Sequence, residues 1–370
     1  MILPGALRAS APSATEHEAT ERTATEALHA LIEADWQYRL SIDPLLATRE
    51  GVESAYDRMP DASLDAMRRA TETRRRHLAE LEAIDRRALS EIDKVTWDVL
   101  RWQLSEQIAE FELRHYFFPI NSDSGFHTAA TWIPDQQPLG SVAEVDAYIE
   151  RLRALPASFD QQIGHLRAAI EAGWTQPRVV LEGYEVTIAS HVVENAEDSL
   201  FYAPFERLPA SIPASEHARL RAAGAEAVMA GPVVAFRNFL SFFESVYRPA
   251  ARETIGISDV PGGREYYANR VRHYTTLDVD ADAVHEIGLG EVARIRADMD
   301  AVIRSLRDAG EFEGSFAEFL TFLRTDPRFY AETPEELLSA PHGSRRRWTG
   351  LCRASSAICR ANRTASSRCP

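Results

Sequence analysis

Cysteine is nearly missing: the 370 residues hold three, Cys352, Cys359 and Cys369, all close to the C-terminus. Their spacings fit neither a zinc knuckle nor a CxxC pair, which excludes the common thiolate motifs. The rest of the chain, without cysteine, suits either redox compartment. Lysine is rarer still. Lys94 is the only one, and arginine supplies the remaining positive charge. No apolar run approaches the ~20 residues that a membrane-spanning helix needs. At the start, Ile2, Leu3 and Leu7 are interrupted by Pro4 and Gly5, and Arg8 follows rather than precedes them. That makes a poor signal peptide, so the compartment stays open with the cytoplasm slightly favoured. A GxSxG elbow, a phosphate-binding glycine loop and a dinucleotide fingerprint are also missing. A Ser-His-Asp triad stays open, because its members need not be neighbours in sequence.

What is present is acid. The net charge is -15, from 41 basic and 56 acidic residues. Residues 341–370 contain seven arginines and no Asp or Glu; setting those seven aside leaves 34 basic against 56 acidic, a net of -22 for residues 1–340. An acidic body argues against nucleic acid as a partner, since phosphate binding needs a basic surface. The abrupt change to Arg, Ser, Ala and Cys is what a frame break in a GC-rich gene would leave. A natural basic, disordered tail is the alternative.

Up to that point the chain reads as mainly α. Ser13-x-x-Glu16 opens a helix to about Tyr38, Asp61 caps a second to about Asp85, and a third runs from about Leu89 to Tyr116. Ser141-x-x-Glu144 caps a helix that Pro156 stops, and another continues to about Ala172. Pro177 opens one expected to reach Asn195, and Ser215 a long one toward Tyr247. Glu265 to Thr276 is rich in aromatic and β-branched residues and is the best candidate for a strand, so at most a short β segment is expected near 264–276. Asp280 to Arg307 is the clearest helix, with His285, Gly288, Val292, Ile295, Met299, Val302 and Leu306 forming one apolar stripe to bury. Ser315-x-x-Glu318 caps the next. Thr333-Pro334-Glu335-Glu336 opens a last one, whose pattern stops after Leu338. The expected organisation is a disordered 1–14, a helical 15–340 and a basic, disordered or frame-shifted 341–370.

Candidate chemistry is sparse. His285-Glu286 begins a zincin-like dipeptide, but the second histidine must stand four residues on, and that position is Leu289. His191 and Glu194, three apart on an expected helix, have no matching pair to complete a carboxylate-bridged site. No catalytic or metal residue is assigned. Tyr266, Tyr267 and Arg270, with Arg272 and Tyr274, form an aromatic-basic patch suited to a peptide's backbone or carboxylate. A packed sheet edge would explain the same residues.

Several strings occur in one register: Ile149-Glu150-Arg151-Leu152 through Leu155-Pro156; Pro177-Arg178-Val179-Val180; Tyr247-x-Pro249-x-x-Arg252; Pro261-Gly262-Gly263-x-x-Tyr266-Tyr267; and Phe322-Leu323-Arg324-x-Asp326-Pro327-x-Phe329. From about Trp36 to Leu338 the chain resembles the bacterial domain-of-unknown-function 885 family. The resemblance implies a mostly helical, zinc-metallopeptidase-like hydrolase. Its zinc ligands are expected in a later His-Glu-x-x-x-Gly-His-His segment and helix, neither of which this sequence matches. The expectation is therefore a truncated, inactive member, with no cofactor in this chain and zinc in full-length relatives. A peptide is the expected substrate class, and exposed apolar surface should favour self-association. The alternatives are a non-catalytic helical binding or scaffold protein and, third, an enzyme built unusually on His191 and His285.

Overall fold

The computed structural model describes residues 14–336 and Leu338, with side chains described from Arg22 onward. The expected disorder of the N-terminus, the Ser13 cap and the basic tail with its cysteines lie outside the described residues. Fifteen α-helices are described: α1 (Ala14–Ile42), α2 (Pro44–Arg49), α3 (Leu64–Glu82), α4 (Glu91–Glu112), α5 (Phe126–Ala130), α6 (Ile133–Gln136), α7 (Val142–Glu171), α8 (Glu185–Ala189), α9 (Ala203–Glu206), α10 (Ala214–Ala230), α11 (Pro232–Phe242), α12 (Arg248–Ala250), α13 (Gly263–Thr275), α14 (Ala281–Asp308) and α15 (Phe316–Thr325). Two isolated bridges, Ile120 with Gly125 and Pro177 with Arg252, are the only β pairing among the described residues. The chain divides into two compact units at Val279 and Asp280.

Helix starts follow side-chain capping. Ser90 accepts from the Asp93 amide, and Ser141 and Ser315 form full capping boxes with Glu144 and Glu318. At α3 the cap is Ser63 rather than Asp61, whose carboxylate instead accepts the Ser63 amide at 2.9 Å. Thr333 Oγ1 accepts from the Glu336 amide at 3.1 Å, as its Thr-Pro-Glu-Glu string predicts.

Four helix expectations need correction. Helix α7 runs through Pro156 without stopping. Proline lacks the amide that would bond the Leu152 carbonyl, but Gly231 packs its bare Cα against that oxygen, where any Cβ would collide. The expected helix from Ser215 to Tyr247 breaks at the same place, because Pro232 forces Gly231 out of the helical region. After Pro177 the chain forms only a 3-10 turn and the short α8. The Arg178 amide bonds the Arg252 carbonyl at 2.8 Å, and Gly183 takes a left-handed φ of 75°. Finally, the apolar stripe of α14 is not a core: Val292, Ile295 and Val302 are exposed, and so is His285. Within that second unit α15 meets α14 around Ile303 and Arg296, whose guanidinium lies 3.6 Å from the Phe316 ring centre. Phe319 and Phe322 close on Phe312 there. One short helix covers only part of a 28-residue one.

In the first unit the main core gathers around α7, α10 and α11, with Leu152, Leu155, Phe159, Phe236 and Phe239 buried. A leucine cluster (Leu28, Leu31, Leu81, Leu100, Leu104) joins α1, α3 and α4. Arg151 sits inside this packing, 1% exposed. It donates to the Arg58 carbonyl (3.0 Å), Gln137 Oε1 (2.7 Å), Thr48 Oγ1 (2.7 Å) and the Ala55 carbonyl. Burial lowers its pKa to about 10, still well above neutrality.

His127 is fully buried too. The Thr187 hydroxyl donates to the Tyr184 carbonyl, so it accepts from His127 Nε2 at 3.0 Å. That assigns the proton to Nε2 and leaves Nδ1 a buried acceptor without a donor. Burial, with His191 nearby, lowers its pKa to about 4.

Two outcomes follow for stability. Arg151→Ala strands four acceptors and should cost about 3 kcal/mol or more in urea unfolding, whereas Arg153→Ala, from an exposed pair with Glu150, should cost about 0.5 kcal/mol or less. His127 is neutral in the fold and binds a proton more readily when unfolded. Its contribution is complete above pH 6.5 and is lost as pH falls from there through about 4, roughly 3 kcal/mol in all. A His127→Leu variant should show that much less loss of stability between pH 7 and pH 4; an unchanged pH profile would refute the assignment.

Candidate functional site

The Pro261-Gly262-Gly263 turn opens a helix where a strand was expected. Gly262 takes a left-handed φ of 77°, and α13 then continues to Thr275. The β-prone residues lose to tertiary packing. Gly263, Tyr266 and Asn269 fall three apart and are buried together, a helical period that no strand could satisfy. Arg272 and His273 stand in the last turn, where the helix dipole favours positive charge.

This helix sends the three candidate residues to different places. Tyr266 is buried against Trp174 and Phe118, at ring distances of 5.5 and 5.6 Å. Its hydroxyl lies 3.1 Å from His115 Nδ1. Burial raises the phenol's pKa and lowers the imidazole's, so the two form a neutral, hydrogen-bonded pair. Tyr267 faces solvent, 49% exposed. Arg270 turns inward to α4, 3.0 Å from Glu110 and 3.8 Å from Glu106.

Glu106 is a hub. Its side chain is 8% exposed and faces Arg270, Arg272 at 3.7 Å and His273 at 3.3 Å, while Asn269 donates to it at 3.2 Å. Trp102 stacks on the His273 ring from the α4 side. The buried Glu106 carboxylate, with Glu110 one turn on, therefore ties α13, the helix that carries Tyr266, to α4.

Tyr266 and Tyr274 line an open cleft of about 460 Å³ with His115, Asn121, Gln176 and Arg252. Arg252 bonds only carbonyls: Thr175 at 2.6 Å, Thr254 at 3.1 Å and Ile255 at 3.3 Å. Each terminal nitrogen retains an N–H beyond those bonds. Burial lowers its pKa, with Tyr247 and Asp259 acting against that. No Asp or Glu lines the cleft. Aromatic faces, side-chain amides and a guanidinium can bind a chain of amides and a carboxylate. Sequence reasoning missed His115 and Gln176, which have no local signal. Arg252 was visible only as part of its Tyr-x-Pro-x-x-Arg string.

The metal candidates fare differently. His191 lies in the turn after α8, and Glu194 in irregular chain, so the two share no helix. The His191 ring packs on Phe236 at 4.6 Å. Among the described residues no three His, Cys, Asp or Glu side chains gather as a metal site.

Residues 44–345 match a family described as bacterial protein of unknown function, DUF885. The chain belongs to this family. No curated protein matches it. The solved structure described as the "putative lipoprotein" from Colwellia psychrerythraea has the same fold as this DUF885 chain, with a TM-score of 0.70 at 21% identity. The match covers 90% of this chain and 59% of that one, so the chain spans under two thirds of that relative's length.

Replacing Glu106 with Gln keeps the shape but leaves two guanidinium groups, those of Arg270 and Arg272, facing one neutral amide. The expected cost is about 2–3 kcal/mol in urea unfolding, falling as salt screens the remaining charges. A cost under about 0.5 kcal/mol would show that the hub does not hold α13.

Proposed function

We propose that this DUF885 chain is the helical, substrate-binding part of a zinc-metallopeptidase-like hydrolase, without the metal-binding half and without peptidase activity of its own. The lining of the Tyr266 cleft carries the reading. Its aromatic faces, amides and carbonyl-bound guanidinium suit the backbone and terminal carboxylate of a peptide. Its imidazole, His115, is engaged by Tyr266 and kept neutral by burial. The described residues do not fit zinc, since His285 has Leu289 where the second ligand belongs and no three-ligand cluster exists among them. Ligands for zinc would come from outside them, and no catalytic step is assigned here. Tyr266 belongs to the substrate wall; Tyr267 and Arg270 stand beside it. Exposed Val292, Ile295 and Val302 on α14 favour self-association.

The same cleft also supports a second reading, a non-catalytic helical binding protein, because binding there needs no metal. Two measurements decide. Reading the gene beyond the codon for Thr333 in all frames should reveal a His-Glu-x-x-x-Gly-His-His segment; without one, the binding-protein reading stands. By calorimetry, the purified chain should bind a short aromatic peptide with a free C-terminus, and Arg252→Gln should weaken it about tenfold. The amidated peptide should be indifferent to that substitution, and zinc should bring no hydrolysis. Equal affinity of the wild-type chain for the two peptides would sink the cleft assignment.

A further inference from the structure

A second cavity, of about 370 Å³, lies between α1, α2, α3 and the loop before α3. Its polar lining is mostly cationic. Arg58, Arg69 and Arg74 reach it, against a single carboxylate, Asp61. That balance is unusual on a chain of net charge -15.

None of the three guanidinium groups has a close ion pair. Arg58 and Asp57 are 3.9 Å apart, and so are Arg69 and Asp61. Arg74 is half-buried and makes neither a hydrogen bond nor an ion pair within 4 Å among the described residues. The acids nearest to Arg74 are committed elsewhere: Asp35 holds His77 at 2.9 Å and Glu110 holds Arg270 at 3.0 Å. Asp61 is likewise engaged, accepting from the Ser63 amide at 2.9 Å and from Gln161 at 3.0 Å. Arg39 adds a fourth positive charge nearby. Around these heads the walls are largely apolar, with Ile42, Pro44, Met59 and Met67 among them, and the hydroxyl residues Tyr38 and Ser41 also reach the lining.

We propose that this cavity binds a dianionic group carried on a small apolar body, either a phosphate monoester or a dicarboxylate. Three guanidiniums against one carboxylate make the lining net positive. Although Asp57 offsets part of the Arg58 charge from 3.9 Å, a dianion gains more from this field than a monoanion does. Planar guanidinium forks match phosphate and carboxylate oxygens alike. The apolar walls select for an attached ring or short chain. The site is separate from the Tyr266 cleft and does not depend on the hydrolase reading.

The test is calorimetry on the full chain at constant ionic strength, with phenyl phosphate, inorganic phosphate, succinate and acetate as probes. Phenyl phosphate should bind one per chain, about threefold or more tighter than inorganic phosphate, with acetate weakest. Arg74→Gln should weaken the dianions about tenfold, and Asp61→Asn should tighten them severalfold by removing the competing charge. If phosphates outbind succinate the natural ligand is a phosphate ester; the reverse order makes it a dicarboxylate. Arg74→Lys, which keeps the charge and loses the fork, separates recognition from folding and should give an intermediate affinity. Absence of saturable dianion binding by the wild-type chain, or unchanged binding by a folded Arg74→Gln variant, would overturn the proposal.

Discussion

Arg151 carries a full positive charge inside the first unit, and no carboxylate touches it. Its N–H groups are taken by carbonyls of Ala55 and Arg58, the amide of Gln137 and the hydroxyl of Thr48. An unpaired charge in a core is expensive, and it is tolerated when every donor meets an acceptor. Here three of the acceptors, all but Gln137, come from chain segments 93 to 103 residues earlier, so one side chain on α7 gathers α2, the turn after it and the start of the α3 loop. The Asp61–Ala62 stretch is then held to α7 again, by Gln161 at 2.8 Å from the Ala62 amide and His165 at 2.6 Å from its carbonyl. The cation-lined cavity is framed by those same segments.

Helix α7 can play this part because it is unbroken. Proline normally interrupts a helix by removing a bond and crowding the preceding turn. At Pro156 the orphaned Leu152 carbonyl is met by Gly231, and Gly231 is also where α10 ends and α11 begins. Two local faults in separate helices thus fit each other. Continuity of α7 carries Ala169 and the turn into Trp174 to the far end, where Trp174 becomes the wall against which Tyr266 packs. The position of the cleft is a consequence of a proline that fails to break a helix.

That explains which parts were legible from the residues. Capping boxes at Ser141 and Ser315, the long α14 and the mainly helical class follow from local rules and are found in place. The misjudged places are those where a distant partner decides. Pro156 needs Gly231, α13 needs Trp174 and Glu106 to override its β-prone residues, and the segment after Pro177 pairs with Arg252 instead of coiling. The α14 stripe had a clean helical period, but a period states which residues share a face, not that something covers it. Of the candidate site, Tyr266 could be singled out from its aromatic-basic setting. His115, 151 residues away, could not.

Charge links the two cavities to the rest of the molecule. A body this acidic repels anions at long range, so a cleft suited to an anion must concentrate its positive charge locally and keep acids away from it. Both clefts, for which anionic ligands are proposed, have nearby carboxylates engaged elsewhere. Asp35, Glu110 and Asp61 are spent on a histidine, an arginine and backbone or amide donors, while Glu106 and Glu110 absorb Arg270 and its neighbours. Arg252 is held by carbonyls, which fix its geometry without cancelling its charge. Because bulk repulsion is screened within about 8–10 Å at physiological salt and contacts inside a cavity are screened much less, these arginines would act on such a ligand mainly once it has entered. Selection of the ligands proposed for the two clefts would therefore rest on the short-range geometry of a few guanidinium groups, not on the sign of the overall field.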